Sequence, residues 1–133
     1  MMYKMLWNEN NITYNNIDDY VLKKIPWFSD FFYQTYDDSD RELKFEVFWS
    51  LTNFFQLSFT KDNQVILNLI VDELNKLYNL DDKNIKELIL TWFIENLLEE
   101  DGEKMRHLRK ILKYQVFQEC VNELYTFWYS KSL

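Results

Sequence analysis

Ile66-Leu67-Asn68-Leu69-Ile70-Val71-Asp72-Glu73-Leu74-Asn75-Lys76-Leu77-Tyr78 decides the fold class. Ile66, Leu69, Ile70, Leu74, Leu77 and Tyr78 recur every three or four positions, and Asn68, Asp72, Asn75 and Lys76 stand opposite. One apolar stripe and one polar face describe an amphipathic helix. Thr60-Lys61-Asp62-Asn63 supplies a cap before it, because short polar side chains can accept the unpaired amides of a first helical turn.

The same period continues on both sides. Downstream, Asp81-Asp82 caps a helix and sets negative charge at its positive end. Ile85, Leu88, Ile89, Trp92, Phe93 and Leu97 form its main stripe, widened by Leu90, Ile94 and Leu98. A helix so apolar around its girth is expected at the centre of the molecule, and Trp92 is expected in the core. Glu99-Glu100-Asp101-Gly102 ends it, with the single Gly where a left-handed cap residue belongs. A last helical region runs from Glu103 to about Tyr129.

Upstream, Ser39-Asp40-Arg41-Glu42 fits the capping box Ser-x-x-Glu. The helix it opens carries Leu43, Val47, Phe48, Leu51, Phe54 and Phe55 on one face and Phe45, Trp49 and Leu57 on its flank, ending near Leu57. Asp37-Asp38-Ser39-Asp40 breaks an earlier helix over Trp27–Tyr36, which Pro26 can open. The first helix spans Ile17–Lys24 with Asn16 as cap, and residues 1–16 are expected to be irregular. No hairpin signal separates alternating runs. The expectation is an all-α protein: a single-domain antiparallel array of five to seven helices over residues 1–133, with middle helices resembling the stacked pairs of a HEAT-type array.

Composition narrows the function. With one Gly, one Pro, one His and one Cys, the chain lacks glycine-rich phosphate loops and the usual general base. His107 has no second His or Cys at ligand spacing, so no metal is expected. Cys120 lies among Val116, Phe117, Val121 and Leu124 and reads as a small core residue. Neither acidic cluster has the alternation of a calcium loop. The chain is read as no enzyme, with no cofactor. The net charge is −7, which disfavours nucleic acid as a partner. Met1–Trp7 is too short for a secretory signal, and no apolar run approaches the roughly 18 residues of a membrane span. The expected location is the cytoplasm, with no membrane partner.

What remains is a surface for protein. The chain holds 11 Phe, 9 Tyr and 5 Trp. The crowded stretch from Trp27 to Tyr36 cannot turn every ring toward one core, and it runs into an acidic turn. Trp27, Tyr33, Tyr36, Asp37, Asp38 and Asp40 are therefore the candidate partner-binding residues. Aromatic anchors dominate interface energetics, and an acidic face steers a basic protein partner. Glu99, Glu100, Asp101 and Glu103 form a rival patch with no aromatic in its own turn.

Two segments carry a resemblance. Ile85-Lys86-Glu87-Leu88-Ile89-Leu90-Thr91-Trp92-Phe93-Ile94-Glu95-Asn96-Leu97 and the closing Glu123-Leu124-Tyr125-Thr126-Phe127-Trp128 resemble helices of a family of small bacterial all-helical proteins similar to the immunity proteins of polymorphic toxin systems. The resemblance implies tight binding to a cognate toxin rather than catalysis, and it assigns no functional residue. The alternative is a phage-encoded or host inhibitor of a nucleic-acid-binding protein.

Overall fold

The computed structural model describes residues 11–96. All regular structure among them is helical, as the periodicity predicts, and none is strand. A short 3-10 turn, Tyr14–Asn16, leads into α1 (Ile17–Lys24), α2 (Phe28–Tyr33), α3 (Lys44–Thr60), α4 (Gln64–Tyr78) and α5 (Lys83–Glu87). From α5 the chain passes directly into a π-helical segment, Leu88–Ile94. The last expected helix, Leu97 and Leu98, the cluster at 99–103, His107 and Cys120 all lie outside the described residues.

The core forms where the stripes meet. Ile17, Tyr20 and Val21 of α1, Phe28 and Phe32 of α2, and Ile66, Leu67, Ile70, Leu74 and Leu77 of α4 are all buried. Among the described residues, α3 has neighbours on the most sides. It packs against α1, α2, α4 and the 88–94 segment, and it is buried on nearly every side. Its neighbours approach closely because small hydroxyl residues stand at the contacts. Ser58 is buried and donates back to the Phe54 carbonyl (2.9 Å), which satisfies its hydroxyl within the helix itself. The single proton of the buried Thr52 hydroxyl is instead shared between the Phe48 carbonyl (3.1 Å) and the Trp92 carbonyl of the 88–94 segment (3.0 Å). The flank behaves as a flank: Phe45 is half-buried, while Trp49 and Leu57 are exposed.

Helix ends obey local chemistry, though not always the residue expected. Asn63 caps α4 by accepting the Ile66 amide at 3.3 Å. Asp82 caps α5 by accepting the amides of Asn84 (2.9 Å) and Ile85 (3.1 Å). The turn between α3 and α4 is a Schellman motif. Asp62 is left-handed (φ 55°), its amide reaches Phe59, and the Asn63 amide reaches Ser58 at 2.8 Å. Aspartate tolerates this geometry where most residues do not.

Two expected caps are not used. Asn16 makes no cap bond. Its side chain turns back, accepting from the Thr13 amide (2.8 Å) and donating to the Asn11 carbonyl (2.7 Å), so it fastens the incoming loop instead. The Ser39–Glu42 capping box does not form either. Asp40–Glu42 is a single 3-10 turn, Leu43 is extended (φ −83°, ψ 96°), and α3 begins at Lys44. The competing acceptor is Asp37, whose Oδ1 takes both the Ser39 amide and the Ser39 hydroxyl. The helix read over Trp27–Tyr36 is shorter in the structure, and α3 runs three residues past its expected end, to Thr60.

The π-helical segment corrects the reading of residues 85–94. Its wider turn brings Ile94 fully into the core beside Ile85, Ile89 and Phe93, and leaves Trp92 half-buried at the edge against Phe45, with ring centroids 5.0 Å apart. The Trp92 carbonyl is held by the Thr52 hydroxyl at 3.0 Å and the Asn96 amide at 2.7 Å. No described helix is long and apolar enough to cross a membrane.

Candidate partner-binding surface

The surface around α2 starts from a strained turn. The Ile25 carbonyl accepts the Phe28 amide at 3.2 Å, closing a four-residue turn with Pro26 in its second position. Trp27 takes the third position at φ 65°, ψ −5°, the geometry that a type II turn requires and that glycine ordinarily fills. A Cβ in this region costs about 1–2 kcal/mol. Burial does not repay it, since Trp27 is 68% exposed. The indole is thus held out in solvent by a turn fixed at both ends: Ile25 and Phe28 are completely enclosed.

Replacing Trp27 with Gly is therefore expected to leave the urea unfolding midpoint unchanged or to raise it. Relief of the left-handed strain outweighs or balances the extra unfolded-state freedom of glycine, for a net gain of at most about 1 kcal/mol. A clear drop in the midpoint would show Trp27 to be a packing residue.

At the other end of α2, about 9 Å along its axis, the chain turns through the acidic loop. Tyr33 is 39% exposed, and its hydroxyl donates to Asp38 Oδ1 at 2.7 Å. That carboxylate, and then burial, push the Tyr33 phenol above its ordinary value. Tyr36 stacks on Phe32 with centroids 4.9 Å apart and is half-buried, a position from which burial and the nearby Glu46 carboxylate raise its own pKa. Asp37 is held below the usual carboxylate range by the hydroxyl and amide of Ser39. Asp40 accepts the Asp37 amide at 2.9 Å. Tyr33, Tyr36, Asp37, Asp38 and Asp40 thus belong to one ordered loop, with Trp27 at the far end of a short helix. Two of the three aspartates are also structural, because their oxygens shape the turn.

Behind the loop lies a charge network that the spacing of the sequence does not announce. Arg41 Nε meets Asp18 Oδ2 at 3.0 Å, and an Arg41 terminal nitrogen meets Asp19 Oδ1 at 2.7 Å. Its other terminal nitrogen donates to the Tyr33 hydroxyl at 3.5 Å and lies 4.0 Å from Asp38 Oδ1. Burial works against the guanidinium charge, but the bonds from Asp19, Asp18 and Tyr33 outweigh it and raise the pKa above its already high ordinary value. Lys44 closes the other side of Asp18 at 2.9 Å and also holds the Asn15 carbonyl. The network fixes the acidic loop to α1 and to the start of α3. Carboxylates at 18, 19, 37, 38, 40 and 42 outnumber Lys23, Arg41 and Lys44 two to one, so this end keeps a negative field.

A second feature escapes sequence reading. Tyr14, Phe45, Asn84, Glu87, Leu88 and Trp92 line an open cleft of about 200 Å³. The helical spacing of Asn84, Glu87, Leu88 and Trp92 was legible, but Tyr14 and Phe45 arrive from distant segments. Among the described residues, no three His, Cys, Asp or Glu side chains group closely enough to hold a metal ion. No family model, curated protein or solved structure matches the chain.

Proposed function

We propose that this chain is a non-catalytic protein-binding module of the immunity type, acting in the cytoplasm, where it neutralises a cognate toxin by covering a basic surface. The observation that carries the reading is Trp27: a large ring kept exposed at a conformational cost, one short helix away from an ordered loop of excess negative charge. Backbone strain that persists without burial points to use rather than to packing. Exposed Trp is the most favoured interface anchor, and the acidic loop supplies the steering field for a basic partner. The resemblance of residues 85–97 and 123–128 to immunity-type helices adds the class of partner.

The test uses the cognate toxin, once the neighbouring gene identifies it. Wild type and a triple variant, Asp37→Asn, Asp38→Asn and Asp40→Asn, are titrated against it at low and moderate salt. Asparagine keeps an acceptor oxygen at each turn position, so the loop is retained while three charges are removed. The expected result is slower association for the triple variant, roughly tenfold at low salt, with a flatter salt dependence. Equal association rates would remove this loop from the interface. Failure of the wild-type chain to bind or protect against that toxin would remove the immunity reading.

A further inference from the structure

The cleft at the start of the π-helical segment has the chemistry of a cation site. Its apolar and aromatic lining residues are Tyr14, Phe45, Leu88 and Trp92, and its polar lining residues are Glu87 and Asn84. Aromatic faces carry negative partial charge and attract cations, Trp most strongly. The two ring contributors that meet are fixed in place: Phe45 and Trp92 lie 5.0 Å apart at an interplanar angle of 34°, and the Trp92 backbone is pinned by Thr52 and Asn96. Such π-helical insertions occur frequently at functional sites.

Glu87 supplies the second observation. Its carboxylate has no hydrogen bond or ion pair with any described residue. The nearby cations are engaged elsewhere. Lys86 is held by Asp81 at 2.8 Å and lies over the Tyr78 ring. Lys44 is held by Asp18 at 2.9 Å. Lys83, one turn before Glu87, is exposed and forms no ion pair with it. Among the described residues, then, the exposed Glu87 carboxylate has no counter-charge and borders the same open cleft as three aromatic residues.

The dimensions and donor set select the ligand class. About 200 Å³ is below the roughly 300–1,000 Å³ of sites that enclose a cofactor or drug-sized molecule. A single carboxylate is too few hard ligands for Ca²⁺. A planar guanidinium suits the site, because it can lie on a ring face while its edge donates two hydrogen bonds to one carboxylate. We infer that the cleft lined by Tyr14, Phe45, Glu87 and Trp92 binds the guanidinium of an arginine side chain presented by a partner protein. The source of the arginine rests on the toxin-binding reading above; the chemistry of the cleft does not.

Propylguanidinium is the probe, with propylurea as its neutral planar counterpart and butylammonium as the lysine analogue. The full chain is titrated with each while the indole N–H of Trp92 is followed by NMR, its signal being assigned by its disappearance in Trp92→Phe. The expected result is a saturable shift with propylguanidinium, a weaker response to butylammonium and none with propylurea. Glu87→Gln should weaken propylguanidinium binding about tenfold, by loss of the charge-assisted pair, without moving the unfolding midpoint. A shift that never saturates, propylurea binding as tightly as the cation, or undiminished binding by Glu87→Gln would each overturn the cation site. Butylammonium binding as tightly as propylguanidinium would overturn the assignment to arginine. The toxin titration reads out separately: protection without probe binding removes this cleft alone, and probe binding without protection removes the immunity reading alone.

Discussion

Phe93→Ala is expected to lower the free energy of unfolding by about 3–5 kcal/mol, the range for truncating a buried aromatic. Phe93 is wholly enclosed, and its ring meets Phe55 of α3 edge-to-face at 5.5 Å and 84°. Aromatic pairs in this geometry add to the burial itself. Domains of this kind are stable by only about 5–15 kcal/mol, so one substitution removes a large part of the total. In urea the midpoint should fall sharply with an unchanged slope. The larger ring next to it, Trp92, gives the internal comparison. Trp92 is half-buried at the rim of a cleft, so Trp92→Ala should cost distinctly less than Phe93→Ala. An equal or greater cost at Trp92 would mean that the chain keeps regular α-helical register through this segment and that the core is organised differently.

That comparison marks where sequence reasoning stops. The period-3.6 stripes of α3 and α4 were legible because burial on one face dictates residue type there: Val47, Phe48, Leu51, Ile66, Ile70 and Leu74 are all enclosed. Caps were legible where a polar side chain had one candidate partner, as at Asn63 and Asp82. They failed at Asn16 and Ser39, where another group competed for the same side chain: the Thr13 amide and Asn11 carbonyl for Asn16, and the Asp37 carboxylate for Ser39. The π-helical widening at Leu88–Ile94 has no local signature either. Its Trp92 carbonyl meets the Thr52 hydroxyl of α3, forty positions away, a contact that no local pattern announces. The many-sided packing of α3 among the described residues has a related explanation. Its Ser50, Thr52 and Ser58 dilute the apolar pattern, yet they are what lets neighbours pack on several sides.

The site was legible in outline. Too many rings on a short helix beside an acidic turn do yield an exposed Trp27 and Tyr33. What sequence could not supply was division of labour within the loop. Asp37 and Asp40 shape the turn, whereas Asp38 accepts a bond from Tyr33 and faces solvent with its side chain 85% exposed. Nor could it pair Asp18 and Asp19 with Arg41, because ion pairs more than twenty positions apart leave no periodic trace.

That network gives the other large expected effect. Asp18→Asn should destabilise the protein by about 3 kcal/mol at neutral pH, near the lower end for breaking a buried ion pair by removing one partner. Asp18 is only 5% exposed, and its two oxygens receive Arg41 at 3.0 Å and Lys44 at 2.9 Å. The neutral amide leaves two cations facing it, although Asp19 still holds Arg41 and keeps the loss from being larger. The pH dependence follows from the direction of the pKa. Burial alone would push the Asp18 carboxyl up, but the bonds and charges of Lys44 and Arg41 more than offset it, so the folded-state value lies below the ordinary 3.8. A carboxyl whose pKa is depressed by folding stabilises the native state fully above its unfolded value, and that contribution is lost as pH falls through the folded value. Wild type should therefore lose stability as pH drops below about 4, and Asp18→Asn should lose less over the same interval. Urea midpoints of the two proteins, measured from pH 7 down to pH 2, should draw together toward the acid end as the wild-type carboxyl takes up its proton. A gap that stays constant across that range would show that Asp18 acts through packing alone and that Arg41 and Lys44 are not held by its charge.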